Sequence, residues 1–75
     1  MNELIIQSAK ETLRITREEA LKNSRYIDEV DAYHIWQAGR GGGSLIINEA
    51  GESLAAGSSV PPTELIQEFK NGKRN

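Results

Sequence analysis

The first third of the chain carries apolar residues at helical spacing. They recur at intervals close to 3.6 residues, at Ile6, Ala9, Leu13 and Ala20. Neither Gly nor Pro occurs before Gly39, so no helix-breaking residue interrupts this pattern. The pattern therefore predicts one helix from residue 2 to about residue 24.

A competing start signal lies inside this segment. The run Thr16-Arg17-Glu18-Glu19 has the spacing of a capping box, and Ile15 and Ala20 are placed as a hydrophobic staple. A second helix could therefore start there, with Leu13-Arg14-Ile15 extended. We favour the continuous helix, because Thr in mid-helix costs only about a few tenths of a kcal/mol, whereas a break must be offset by tertiary contacts.

Three segments in the middle of the chain have the composition of β-strands. In the segment from Val30 to Gln37, β-favouring side chains alternate between two faces, with Ala32, His34 and Trp36 against Tyr33 and Ile35. The segments Ser44 to Glu49 and Glu52 to Ala56 follow, and Gly51 takes the turn position that needs a positive φ. The sequence predicts an antiparallel meander of three strands.

The first two of these strands are joined by Gly39-Arg40-Gly41-Gly42-Gly43. Four glycines in five residues cannot hold a helix or a strand against their backbone entropy, so we expect a mobile loop. Successive N–H groups without side chains can also cradle a phosphate. Such a cradle needs a helix after the glycines, however, and here a strand follows. We therefore expect neither a bound anion nor a cofactor in this loop.

A final helix completes the predicted fold. It opens at Pro61-Pro62, which fix φ for a helix start, and it ends at Asn71-Gly72, where Gly supplies a left-handed cap. Two amphipathic helices can cover one face of a three-stranded sheet. We therefore expect a single small α+β domain over residues 1–75, with both helices on the same face of the sheet. The predicted core contains Leu13, Ile35, Leu45, Ile47, Leu65 and Phe69.

The run Leu45-Ile46-Ile47 is apolar at every position, whereas a half-buried strand alternates. We interpret this strand as the central one, with Ile46 on an outer face that a partner protein or a second copy covers. The remaining residues of this predicted surface are two aromatic neighbours and an acidic rim, namely Tyr33, Trp36, Asp28, Glu29 and Asp31. The alternative is that the strand twists at its end and one Ile is hidden beneath a helix terminus.

Composition narrows the class of protein. Leu, Ile, Val and Phe make up 17 of 75 residues and the net charge is only −2, so the chain should fold. There is no Cys, which removes disulfides and thiolate chemistry. No apolar run approaches the roughly 20 residues of a membrane span, and the start lacks the basic residues of a signal peptide. We expect a cytoplasmic protein without a membrane segment.

Three groups of residues have side chains suited to catalysis, metal binding or nucleic-acid binding, but none has the spacing or charge that such a site needs. His34 with Asp31 and Ser58 or Ser59 lacks the spacing of a hydrolase triad, so we expect no enzyme. The acidic residues before His34 lack the pattern of a calcium loop, so we expect no metal. A basic stripe would form on a continuous first helix, at Lys10, Arg14, Arg17 and Arg25. It is offset by seven acidic residues among the first 37, so we expect no nucleic-acid partner.

The C-terminal half carries a longer pattern. It consists of Gly41-Gly42-Gly43-Ser44-Leu45-Ile46-Ile47-Asn48-Glu49-Ala50-Gly51-Glu52, then Leu54 and Gly57-Ser58-Ser59, then Pro62-Thr63-Glu64-Leu65-Ile66-Gln67-Glu68-Phe69. This stretch of about residues 39–70 resembles the close of the small YrhB-like immunity-protein family. It departs at Asn48, where the pattern usually carries an Asp before the turn.

The resemblance implies an antitoxin that acts by occluding a partner protein, and it implies no catalytic residue. From the sequence we therefore expect a non-enzymatic protein-binding module of the immunity type. The alternative is an accessory or structural protein of a phage or mobile element, which dimerises through its sheet or inhibits a host enzyme.

Overall fold

The structure is a computed structural model that describes residues 1–39 and 42–75. Its elements are, in chain order, α1 Glu3–Leu13, α2 Arg17–Lys22, β1 Ser24–Ile27, β2 Ala32–Trp36, β3 Ser44–Ile47, β4 Ser53–Ala56 and α3 Pro62–Lys70. The predicted α+β class is confirmed. The centre of the glycine-rich loop, Arg40 and Gly41, lies outside the described residues, and with it part of the prediction made for that loop.

The N-terminal segment is two helices, so the prediction of one continuous helix is wrong. Arg14 adopts a left-handed conformation at φ 55 and ends α1. The capping box then starts α2, where the Glu19 N–H donates to Thr16 Oγ1 and the Thr16 N–H donates to Glu19 Oε1. The break lets Leu13 and Ile15 enter the same core cluster. On a continuous helix these two side chains would lie about 200° apart.

The sheet has four antiparallel strands in the order β1-β2-β3-β4, so the predicted three strands were one too few. The meander of β2, β3 and β4 is confirmed. The sequence pattern does not predict strand β1, because it is an edge strand whose only buried residue is Ile27 and its apolar residues do not alternate.

Two predicted glycine positions are confirmed. Gly51, with φ 88, lies in the turn between β3 and β4, where Asn48 Oδ1 accepts from the N–H groups of Ala50 and Glu52. Gly72, with φ 94, follows the end of α3. Both conformations are in the left-handed region that favours Gly.

The helices cover both faces of the sheet, which corrects the prediction that they share one. One cluster lies between the sheet and the first two helices and contains Ile5, Ile6, Ala9, Leu13, Ile15, Ala20, Ile35, Leu45 and Ile47. The other lies under α3 and contains Ala32, Ile46, Leu54, Leu65 and Phe69. A strand that is apolar on both faces needs cover on both, which is why β3 is buried at every position. All six predicted core residues are buried.

The described helices are short. None of them is long and apolar enough to cross a membrane.

Candidate functional site

The predicted partner surface is not one surface, and its central residue is buried. Ile46 has no exposed area and lies in the cluster under α3. The prediction that it sits on an open outer face is wrong. The alternative is right that a helix covers an Ile of this strand, but its twist at the strand end is not tested. The cause is the position of α3, which packs on the face that the prediction left open.

The two predicted aromatic neighbours lie on opposite faces of the sheet. Tyr33 packs against the cluster of α1 and meets Tyr26 edge to face, with 5.3 Å between ring centroids. Trp36 stacks on His34, with 5.3 Å between centroids and 27° between planes. Residues 33 and 36 of one strand differ in parity, so they cannot share a face.

The predicted acidic rim is the turn between β1 and β2. Asp28, Glu29 and Asp31 are all exposed there. The Glu29 carboxylate pairs with Lys70 at 2.9 Å, and the Asp31 carboxylate accepts from the Tyr26 hydroxyl. That hydrogen bond, with burial and the charge of Asp31, raises the pKa of Tyr26 to about 12. The turn lies at the opposite end of β2 from Trp36, so it does not border Trp36.

An open groove is present at the Trp36 end of the sheet. It occupies about 440 Å³ and is lined by Trp36 and by Pro62 at the start of α3. We call it the Trp36 groove. The described residues that line it are Arg25, His34, Trp36, Gln37, Gly42, Gly43, Ser44, Gly57, Ser58, Val60 and Pro62. A Cβ on Gly43 would lie 2.7 Å from the carbonyl oxygen of Ala56, so this wall is closely packed backbone.

His34 is the most unusual side chain of the groove. It is only 5% exposed, and its Nε2 has no hydrogen-bond partner among the described residues. Burial lowers the pKa of His34, and the nearby positive charge of Arg25 lowers it further. Arg25 is the residue directly opposite His34 on β1. The imidazole is therefore neutral at pH 7, and it can donate one hydrogen bond and accept another.

The groove does not bring together the residues of a hydrolase triad. Ser58 lines it together with His34, but Asp31 is at the far end of β2 and accepts from Tyr26. No Asp or Glu is among the described lining residues, so no carboxylate orients the imidazole. Across residues 1–39 and 42–75, no three or more His, Asp or Glu side chains come close enough to hold a metal ion.

Sequence reasoning missed Arg25 and Ser44 as groove residues. Arg25 was placed on a helical basic stripe with Lys10, Arg14 and Arg17, but the helix ends at Leu13 and Arg25 belongs to β1. The stripe therefore does not exist as a single row. The β-favouring pair Tyr26-Ile27 directly after Arg25 was the available signal for a strand at this place.

Comparison with known proteins names no relative. No protein-family model matches the chain, and neither a curated protein nor a solved structure is similar to it. The resemblance to the YrhB-like family stays a prediction, and the functional argument depends on the geometry of the groove and of the sheet.

Proposed function

We propose that this protein is a non-enzymatic protein-binding module of the immunity or antitoxin type, which acts in the cytoplasm by occluding a partner protein. The observation that carries the proposal is the Trp36 groove. A half-buried tryptophan in an open concave surface is the residue type and the setting that dominate the energies of protein interfaces.

The chemistry of the groove supports binding over catalysis. A nucleophile such as Ser58 needs an activated base, and the base in turn needs an orienting group. His34 has a stacked tryptophan and a cationic neighbour in place of a carboxylate. These neighbours favour the neutral imidazole and give it no partner that would stabilise a positive charge during proton transfer.

The architecture supports action by occlusion. Both faces of the sheet are covered by the protein's own helices, so its centre is not available to a partner. Part of the groove wall, from Gly42 to Ser44 and from Gly57 to Pro62, belongs to the segment that resembles the YrhB-like family, whereas Arg25, His34 and Trp36 come from β1 and β2 before it. A rigid scaffold that holds an open groove suits an inhibitor that binds without changing shape.

A second candidate is self-association through the free edge of the sheet, as in the alternative of a phage or mobile-element accessory protein. The Trp36 N–H donates to the Asn23 carbonyl. In an antiparallel pair the residues of a strand alternately bond to the partner strand and point away from it, so the N–H and C=O groups of Ser24 and Tyr26 point away from β2. The β4 edge differs, because the Asn75 N–H donates to the Ser53 carbonyl and Asn75 Oδ1 accepts from the Ala55 N–H. The β1 edge is thus the one open for pairing.

Binding by the groove is tested with matched alanine variants. Wild type, Trp36→Ala and Leu21→Ala are used to capture proteins from the cells that make this chain, and each captured protein is then purified and titrated by calorimetry. Leu21 is a suitable control because it is an exposed apolar residue on α2, outside the groove lining. The proposal expects a partner that binds wild type and Leu21→Ala alike and binds Trp36→Ala much more weakly.

The immunity role has its own readout. If the partner is toxic, cells that express its gene should stop growing. Co-expression of the wild-type chain should restore their growth, and co-expression of Trp36→Ala should not. Sedimentation equilibrium of the chain alone tests the second candidate. A dimer at micromolar concentration that Tyr26→Lys dissociates would favour association through β1.

A further inference from the structure

The Trp36 groove is positively charged in a protein that is negative overall. The chain has eleven acidic and nine basic residues, yet Arg25 is the only charged side chain among the described residues of the groove. Arg25 forms no ion pair with any described residue, in contrast to Arg17, which pairs with Glu3 at 2.6 Å. An unpaired guanidinium beside a concave surface is suited to a carboxylate, which it binds through two parallel hydrogen bonds.

A buried polar group without a partner lies beside Arg25. His34 is only 5% exposed, and its Nε2 has no hydrogen-bond partner among the described residues. Most buried polar side-chain atoms in proteins are hydrogen-bonded, so an exception calls for an explanation. Arg25 and His34 face each other on adjacent strands, and both line the groove. One ligand can therefore contact both residues.

The start of α3 adds to the same field. This helix of nine residues begins at Pro62, which lines the groove, and its N-cap Pro61 provides no side-chain hydrogen bond to the first turn. The N-terminus of a helix carries a partial positive charge, which favours an anion. Pro62 has no N–H, and the N–H groups of Glu64 and Leu65 donate to the Pro61 carbonyl, so α3 contributes through its dipole and not through a set of free donors. Trp36 provides an apolar surface next to these charges.

We propose that the Trp36 groove binds a carboxylate of an acidic partner segment, with Arg25 as its ion-pair partner and an adjoining apolar group against Trp36. This inference rests on the proposed function and specifies the chemistry of the partner. The carboxylate is either the C-terminus of the partner or a side chain of Asp or Glu. Charge complementarity selects an acidic segment over a basic one, because the described groove offers no acidic side chain to a basic segment.

Small probes test the chemistry directly. Trp36 is the only tryptophan, so its fluorescence reports the groove. N-acetyl-L-leucine presents a main-chain carboxylate, and an N-acetylated, C-amidated peptide of glycine, glutamate and glycine presents a side-chain carboxylate. N-acetyl-L-leucinamide is the uncharged control. We expect a saturable response to at least one carboxylate and none to the amide, and the tighter of the two carboxylates identifies the source.

Charge-matched variants complete the test. Arg25→Gln should weaken carboxylate binding about tenfold or more, the loss expected for one charge-assisted hydrogen bond. Lys10→Gln removes the same charge from α1, outside the groove lining, and should bind as wild type does. The inference is overturned if neither carboxylate gives a saturable response, if the amide binds as well, or if the two variants bind equally.

The inference and the proposed function fail separately. A purified partner that requires Trp36 but binds Arg25→Gln as tightly as wild type would leave the proposed function standing and overturn the carboxylate. Carboxylate probes that require Arg25, together with a partner indifferent to Trp36→Ala, would support the ligand chemistry and refute the proposed function.

Discussion

Truncation of Ile46 should destabilise this protein as strongly as truncation of its neighbour on the other face. Ile46 is fully buried under α3, and Leu45 is 1% exposed in the cluster under α1. Substitution of either by Ala removes three methyl or methylene groups, at about 0.8 kcal/mol each, and leaves a cavity. The total expected loss is about 2–5 kcal/mol for each variant.

The loss is large relative to the whole stability. A chain of 75 residues is expected to have a free energy of unfolding of about 4–11 kcal/mol. Since the loss for Ile46→Ala is comparable to the lower end of this range, Ile46→Val, with an expected loss of about 0.5–1.5 kcal/mol, is measured beside it. Urea unfolding followed by Trp36 fluorescence and by circular dichroism gives both values.

Three outcomes of this experiment are informative. Equal losses for Leu45→Ala and Ile46→Ala, independent of protein concentration, support a sheet with a core on each face of one chain. A loss below about 0.5 kcal/mol for Ile46→Ala refutes the packing of α3 on Ile46, because this is the range of surface substitutions. A loss that shrinks on dilution would mean that a second copy, and not α3, covers Ile46, because wild type would itself give up that contact as the copies separate.

The other predictions concern single contacts. Thr16→Ala should cost about 0.5–2 kcal/mol in urea unfolding, because it removes the capping box of α2. Thr12→Ala, at an exposed position in the last turn of α1, should cost nothing, and equal values for the two variants would contradict the break between the helices. Asp31→Gly should lower the pKa of Tyr26 from about 12 towards about 10, and Gly is chosen because it tolerates the positive φ of 49 at this position. The pKa is measured by ultraviolet titration, with Tyr26→Phe as the reference that lacks this hydroxyl. An unchanged pKa would rule out the hydrogen bond. Burial lowers the pKa of His34 below its usual 6.5. Between the lowered pKa and the usual one, the unfolded chain therefore binds more protons than the native chain. The free energy of unfolding should therefore fall as pH drops from 7 through the lowered pKa, and His34→Gln should flatten this slope; the same slope in both proteins would count against a desolvated imidazole.

Local patterns predicted most of the elements but not where the helices pack. The alternation in β2, the apolar β3, the turn at Gly51 and the proline-opened α3 are each encoded by neighbouring residues, and each was predicted. The capping box at Thr16 was also visible in the sequence. The sequence nevertheless favours a continuous helix, because the burial of Ile15, which offsets the cost of the helix break, is a tertiary contact that the local pattern does not contain.

The candidate site was harder to predict, for a related reason. The prediction places Trp36 on a surface with neighbours that are close in sequence, whereas the groove also contains residues up to 26 positions from Trp36, such as Pro62. The apolar run of β3 was interpreted as an outer surface at Ile46 because the side of the sheet on which α3 docks is not a local property. Two amphipathic helices can share a face or take one each, and only the packing of Leu65 and Phe69 on Ile46 decides between them.

The central claim is that the Trp36 groove binds a partner protein, and the ratio of two dissociation constants tests it most directly. The purified partner is titrated calorimetrically with Trp36→Ala and with the control Leu21→Ala, after circular dichroism has shown that both variants are folded. An interface anchor costs about 2 kcal/mol or more on truncation, so Trp36→Ala should bind about 30-fold or more weakly than the control. Equal dissociation constants for the two variants would contradict the claim.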